Sequence, residues 1–290
     1  MMINPKLENK VVLITGANHG IGAATARAFA AQGTKVFITY LREECALSET
    51  ELAAAKATGV GGAGLYWANQ QVTAVALVNE IVAGGGTAVA LEADLADTTN
   101  IPLLFDQCES QLGPVDVLVN NHTYCVLETF DPARVTDDGF PISFVSETEI
   151  DRHFAINARG YALMMGEYIK RYLDRGANWG RIINISTDAA HEHVANVSYA
   201  ASKHAIESYS RSAAVELGKY GITVNVVAPG PTQTGYITPE DAVALAAGTP
   251  LGRLGKPEDI ADVILFAASE QGRWLTGQLI YAGGGWRIGQ

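Results

Sequence analysis

Tyr199 and Lys203 lie four residues apart in SYAASKHAIESYSRSAAVELG, an alanine-rich stretch of helical period that puts both side chains on one face. A free tyrosine, with a pKa near ~10, is a poor proton shuttle at neutral pH. An ammonium ~4 Å away at an effective dielectric of ~20 favours the phenolate by about 4 kcal/mol, on the order of 3 pKa units before desolvation subtracts some. A tyrosine tuned in this way can protonate a carbonyl oxygen as hydride arrives, or deprotonate an alcohol in reverse, a contribution of roughly 10² to 10⁴ in rate. Just upstream, Ser186 and Thr187 close the run RIINIST, and either hydroxyl can donate a hydrogen bond to a substrate oxygen. His191-Glu192-His193 follows and invites a metal reading. Two histidines at that spacing converge only on an extended segment, no third ligand stands nearby in sequence, and a Tyr-Lys proton path needs no Lewis acid. No metal is expected, and the two histidines are read as lining a substrate loop or as solvated.

A second constellation lies near the N-terminus. Thr15-Gly16-Ala17-Asn18-His19-Gly20-Ile21-Gly22 follows the apolar run VVLIT and opens the helical segment AATARAFAAQG. Glycines between strand and helix let backbone approach a pyrophosphate, whose charge then sits at the helix N-terminus. Gly16, Asn18, His19, Ile21 and Gly22 are therefore candidate cofactor-binding residues. The second strand ends at Tyr40-Leu41-Arg42. A carboxylate there would accept hydrogen bonds from an adenosine ribose and repel a 2′-phosphate. Tyr40 removes that repulsion, and Arg42, with His19, offers a cation to a phosphate, so NADP(H) is expected ahead of NAD(H). Glu43 and Glu44 lie close enough in sequence to blunt that field.

These residues need a scaffold, and the chain spells one. Short β-branched runs alternate with helix-length segments: VVLIT (11–15), KVFITY (35–40), TAVALEAD (87–94), VDVLVN (115–120), RIINIS (181–186), ITVNVVAP (222–229) and QLIYAGG (278–284). That rhythm predicts an α/β fold, a Rossmann-type doubly wound and mainly parallel seven-stranded sheet with helices on both faces and ligands at the strands' carboxyl ends. Residues 1–290 are read as one such domain with two interruptions. The first, near 43–71, is rich in alanine and glycine and reads as a surface insertion remote from the chemistry. The second, FDPARVTDDGFPISFVSET (130–148), starts at the ligand-binding edge and reads as a substrate-lining element or a partner surface.

Composition narrows the remaining classes. Apolar residues make up 48% and charged residues 18%, so the chain should fold around a core. A net charge of −11 without a basic run argues against nucleic acid. No apolar run approaches the ~20 residues a membrane span needs, and MMINPKLENK lacks a signal-peptide core, so a soluble cytoplasmic protein is expected. Cys45, Cys108 and Cys125 fit neither a disulfide framework nor a zinc knuckle and read as free thiols.

The loop Thr-Gly-x-x-x-Gly-x-Gly resembles that of the short-chain dehydrogenase/reductase family. Further motifs arrive in the family's order over nearly the whole chain: Asp94-Leu95, Asn120-Asn121, Asn157, Ser186, Tyr199 with Lys203, and Pro229-Gly230 with Thr234. The nearest subgroup resembles 3-oxoacyl-carrier-protein reductases and glucose dehydrogenases. The resemblance implies that Asp94, Leu95, Asn121, Pro229, Gly230, Thr232 and Thr234 join the cofactor site, alongside Tyr40 and Arg42. It implies that Lys203 also reaches the nicotinamide ribose, that Asn157 holds a water in a proton relay, and that residues 231–254 form a mobile flap. For the substrate-orienting hydroxyl two registers compete: counting back from Tyr199 favours Ser186, counting along the strand selects Thr187. Two departures stand out, His122-Thr123 where the family carries Ala-Gly, and Gly283 where it often carries Asp. His122 reads either as a cofactor or substrate contact or as a packed histidine satisfied by backbone. The expected enzyme moves hydride between nicotinamide and a small carbonyl or secondary alcohol, as a homodimer or homotetramer. The rivals are a catalytically silent nicotinamide sensor, an NAD(H)-preferring dehydrogenase, and an epimerase or dehydratase.

Overall fold

The β-branched runs become strands whose alternate side chains face two different cores. The computed structural model describes residues 4–134 and 142–286. Its strands are β1 (Val11–Thr15), β2 (Lys35–Tyr40), β3 (Thr87–Glu92), β4 (Val117–Asn120), β5 (Leu127–Thr129), β6 (Ile142–Phe144), β7 (Gly180–Ile185), β8 (Ile222–Pro229) and β9 (Leu279–Ala282). Seven of them form one parallel sheet in the order β3-β2-β1-β4-β7-β8-β9, while β5 and β6 pair separately. The helices are α1 (Gly20–Ala30), α2 (Glu49–Thr58), α3 (Ala63–Gln70), α4 (Val75–Ala83), α5 (Asn100–Leu112), α6 (Glu147–His153), α7 (Tyr161–Asp174), α8 (Val197–Leu217), α9 (Pro239–Gly248) and α10 (Pro257–Ala268). Val12 and Ile14 of β1 pack on the face that also takes Phe29 of α1 and Ile264 of α10. Val11 and Leu13 pack on the opposite face with Phe105 of α5 and Met164 of α7. None of the described helices is long and apolar enough to cross a membrane.

Topology places the site. The chain steps outward from β1 through β2 to β3, then resumes on the other side of β1 at β4. The connections leaving β1 and β4 therefore part at their carboxyl ends and open a crevice there. Thr15–Gly22 and Asn121–Tyr124 meet in it. The Thr15 hydroxyl accepts from the backbone N of Asn121 at 2.9 Å and of His122 at 3.1 Å.

The first interruption is not remote from that crevice. It carries α2 and α3, and it is bonded to both the phosphate loop and the flap: Asn18 Nδ2 donates to the Val72 carbonyl (2.8 Å) and Asn69 Nδ2 donates to the Thr234 carbonyl (3.1 Å). Sequence composition pointed to a free surface element because its ties are made to residues up to 165 positions away. The second interruption contributes β6, which pairs with β5 just ahead of it, and residues 135–141 of it lie outside the described residues. The buried Glu128 of β5 bridges to Asn196 ahead of α8 and accepts from the Ser146 N–H of the interruption at 3.1 Å. Arg152 of α6, just past the second interruption, pairs with Glu43 of the first at 2.9 Å.

Candidate active site

Four segments converge at the carboxyl ends of β4, β7 and β8. Between α6 and α7 the chain winds as a π-helix over Phe154–Gly160, a local widening common at functional positions. It carries Asn157, fully buried and fully bonded. Its Oδ1 accepts from the Tyr124 N–H (2.7 Å) and the Thr123 hydroxyl (3.3 Å); its Nδ2 donates to the Tyr124 carbonyl (2.8 Å) and the Ser202 hydroxyl (3.0 Å). The Asn157 side chain thus fastens the loop after β4 to α8, and its amide is spent on protein partners.

α8 presents Tyr199 and Lys203. Lys203 is 2% exposed, and its Nζ donates to the Ile185 carbonyl (2.9 Å) and the Tyr161 hydroxyl (3.2 Å). Burial pushes its ammonium down to about 7, against a smaller opposing pull from Cys125. Tyr199 is partly buried and shares a hydrogen bond with Thr123. Lys203 Nζ stands 5.9 Å from the centre of its ring. The expected downward tuning of Tyr199 by Lys203 is not met: burial, then Cys125 and Tyr236, raise the Tyr199 hydroxyl well above its ordinary value, and Thr123 pulls weakly the other way. Desolvation of the phenol exceeds the attraction of an ammonium that is itself buried and directed at other oxygens.

Ser186 and Thr187 part company. The Ser186 hydroxyl is buried and donates to Glu207 Oε1 at 2.8 Å, inside the core beneath α8, which corrects the preference for Ser186 as the orienting group. Thr187 remains partly exposed, its Oγ1 accepting only a long bond from the Ala189 N–H (3.3 Å). Strand pairing fixes this end of β7, with Ile185 opposite Val227, whereas the count back from Tyr199 crosses a loop of free length.

The phosphate loop fits a pyrophosphate. Gly22 cannot carry a side chain, since a Cβ there would stand 2.3 Å from the Gly16 carbonyl oxygen and 2.7 Å from Asn121 Nδ2. Asn121 Nδ2 itself donates to the Gly16 carbonyl (2.7 Å) and the Thr15 carbonyl (3.2 Å), holding the loop in shape at the start of α1. Ile21 packs on the core beneath the loop. Asn18 and His19 face the first interruption rather than open solvent: Asn18 bonds to Val72, and His19 pairs with the Gln70 side chain. Burial lowers the His19 pKa, so the cation expected there is a neutral imidazole.

Arg42 is also not the free cation expected. Its Nε and Nη2 fork onto Glu92 at 2.8–3.1 Å, and its backbone N–H donates to the same carboxylate. Glu92 ends β3 directly opposite Tyr40, so strand register delivers an acid to the position the sequence of β2 left neutral. Asp94 is exposed, its Oδ1 accepting from the Ala96 N–H (2.8 Å), and Leu95 is buried. Pro229 and Gly230 close β8, Thr232 donates to the Gly230 carbonyl (2.9 Å), and Thr234 lies over Gly20. Gly283 lies against Gly230, with the Asp188 carboxylate beside both.

His122 proves to be a packed histidine. It is 8% exposed; its Nε2 lies 3.1 Å from the Ile156 carbonyl, which can only accept, so Nδ1 is left to accept the Thr15 hydroxyl at 2.7 Å. Burial, reinforced by Lys203, drops its pKa to about 3. Its carbonyl accepts from Tyr161, which in turn receives Lys203, so one chain of bonds runs from the phosphate loop to the lysine. Tyr161, four positions after Asn157, was missed; that spacing on one helical stack was the signal available. His193 stands edge-on to Tyr199 at 6.4 Å, whereas His191 turns to Tyr281 and His204. Among the described residues, no group of three or more His, Cys, Asp or Glu is arranged to hold a metal ion. Cys45, Cys108 and Cys125 are free thiols.

Comparisons with known proteins agree with this geometry. A profile described as enoyl-(acyl carrier protein) reductase matches residues 52–287, and one described as short chain dehydrogenase matches residues 10–62. A short-chain type dehydrogenase/reductase of Picea abies is 33% identical, covering 96% of this chain and 93% of its own. Versicolorin reductase of Emericella nidulans is 32% identical, covering 97% of each. A blue fluorescent protein from a metagenomic library, solved in complex with NADPH, is 31% identical with a TM-score of 0.75, covering 97% of this chain and 99% of its own. A short-chain dehydrogenase/reductase of Serratia marcescens is 28% identical with a TM-score of 0.74, covering 96% and 98%. The chain therefore belongs to the short-chain dehydrogenase/reductase family of oxidoreductases.

Proposed function

We propose that this protein is an NADP(H)-dependent reductase of a carbonyl group, running to a secondary alcohol, with Tyr199 as the proton donor. The observation that carries the reading is the placement of Tyr199: partly exposed on α8, bonded to Thr123, and one helical turn from Lys203. A phenol that is protonated at neutral pH can give its proton to a substrate oxygen as negative charge develops there.

When bound, the dinucleotide supplies the hydride. Thr187 donates a hydrogen bond that orients the substrate oxygen, and the Tyr199 hydroxyl transfers its proton to that oxygen. Thr123, where the family carries glycine, fixes the phenol against Asn157. Lys203 sits behind the phenol, its Nζ 5.9 Å from the ring centre, where an ammonium stabilises the phenolate as it forms. The residues of the glycine loop with Asn121, Pro229, Gly230, Thr232 and Thr234 hold the dinucleotide, and Asp94 and Leu95 border its adenine end. NADP(H) is preferred over NAD(H) because Arg42 keeps its Nη1 outside the fork to Glu92, the acid that β3 places opposite Tyr40; the NADPH complex of the metagenomic relative supports the same choice.

The test is a panel of cyclic and aromatic ketones, 3-oxoacyl thioesters and sugars, followed by loss of nicotinamide absorbance with each dinucleotide. Turnover with NADPH at least tenfold more efficient than with NADH is expected. Tight NADPH binding without turnover of any substrate makes the protein a sensor, and better turnover with NADH reverses the cofactor assignment.

A further inference from the structure

Residues 43–74 leave β2 and return to α4 across the mouth of the dinucleotide cleft, and their fastenings fall on both of its sides. Toward the phosphate loop, Val72 takes the Asn18 amide at 2.8 Å and Gln70 pairs with His19. Toward the flap, the Gly62 N–H donates to the Gly235 carbonyl at 2.9 Å and Asn69 Nδ2 donates to the Thr234 carbonyl at 3.1 Å. The approach at the flap is close enough that a Cβ on Gly61 would stand 1.9 Å from the Ile237 carbonyl oxygen. One short helix, α3, thus ties together two loops that face each other over the cleft.

Ahead of Ala74, what holds this segment is mainly hydrogen bonding and not a core of its own. α2 buries no residue and α3 buries only Ala68, whereas α4, immediately after, places Leu77 and Ile81 in the main core. A segment with few buried apolar contacts and a handful of single hydrogen bonds opens locally at low free energy while the rest of the fold stays intact. Its ends are anchored, by the Arg152–Glu43 ion pair at one side and by α4 at the other.

We infer that residues 43–74 form a strap that closes over the bound dinucleotide, with Asn69 and Gln70 as positioning residues that clamp the flap and the phosphate loop together. The dinucleotide leaves only after the strap lets go, so its release is slower than the open cleft would allow. This rests on the nicotinamide reading of the cleft.

The experiment measures NADPH dissociation from the full chain by stopped-flow fluorescence displacement, comparing the natural sequence with Asn69→Ala/Gln70→Ala. The double variant removes two neutral hydrogen bonds, each worth a factor of several, so release about tenfold faster is expected. Its melting temperature stays near that of the natural chain because neither residue supports the core. Asn69→Ala alone should give an intermediate rate, which keeps the test available if the double variant folds poorly. An unchanged release rate overturns the strap alone, and so does slower release with tighter binding, the behaviour of a segment that competes with the cofactor for the cleft. Failure of the natural chain to bind either dinucleotide overturns the reading of the cleft and the strap together.

Discussion

Around Lys203 every polar contact is made inside the protein, through Ile185, Tyr161, His122 and Thr15, while around Arg42 the contacts are made at the surface, with Glu92 as its fork and side chains 43% and 31% exposed. In the first region burial decides ionisation. Lys203 falls to about 7, His122 to about 3, and Tyr199 rises. In the second, the hydrogen bonds that Arg42 donates to Glu92 raise its pKa further, and solvent screens whatever the pair contributes. The two halves of one site therefore answer to different physics: substitutions in the buried half are expected to act strongly on rate and stability, those at the mouth weakly and mainly on binding.

Tyr199→Phe tests the strongest side of that contrast. It should lower turnover by roughly 10² to 10⁴, the worth of a positioned general acid, while NADPH affinity by fluorescence titration stays within a few-fold. A residual rate near that of the natural chain would move the proton donor elsewhere. Next come the paired hydroxyls. Thr187→Val should cost about 10² in turnover with stability unchanged, by analogy with loss of one oxyanion donor. Ser186→Ala should leave turnover nearly intact but lower stability by about 1–3 kcal/mol in urea unfolding, because the buried Glu207 loses its 2.8 Å partner. The opposite pattern would restore Ser186 as the orienting group.

His122 sets a pH dependence whose sign can be worked out. Folded, it titrates at about 3; unfolded, near 6.5. Between those values the unfolded chain binds the extra proton, so stability is full above the unfolded value and falls as pH drops, at about 1.4 kcal/mol per pH unit while His122 dominates. Urea midpoints between pH 7 and 4 should show at least this slope, and His122→Gln should reduce it, leaving the share of His19 and His153, whose pKa values burial also lowers. A midpoint that is level over that range would mean that the imidazole is solvated. The smallest effect belongs to the mouth: Glu92→Gln releases Arg42 and should tighten NADPH about threefold with NADH unchanged, as for an exposed ion pair. Equal tightening of both dinucleotides would show that Arg42 does not reach a 2′-phosphate.

What could be read from the chain follows the same division. The seven strands, the glycine loop and the Tyr199–Lys203 pair were legible because each rests on local periodicity or a short spacing. The π-helix at Asn157 was not, since nothing in HFAINARG departs from an ordinary helical pattern. Neither was the neutralised Arg42, because Glu92 reaches it only through strand pairing 50 residues away. The strap was misread for a related reason: alanine- and glycine-rich composition describes a segment with no core, and its bonds to Asn18 and Thr234 leave no trace in its own residues. Of the two readings of His122, the packed one holds, for a large side chain at a position usually held by alanine must find its own partners in a close-packed interior.

The central claim, direct reduction with Tyr199 giving the proton, is tested most directly by NADPH carrying deuterium at both positions of its reactive nicotinamide carbon, with the product of the best ketone read by mass spectrometry. The account predicts that the label appears on the new carbinol carbon and that Tyr199→Phe slows its transfer by roughly 10² to 10⁴ while still binding the labelled dinucleotide. Product formed without the label, or label transfer undiminished in Tyr199→Phe, would contradict it.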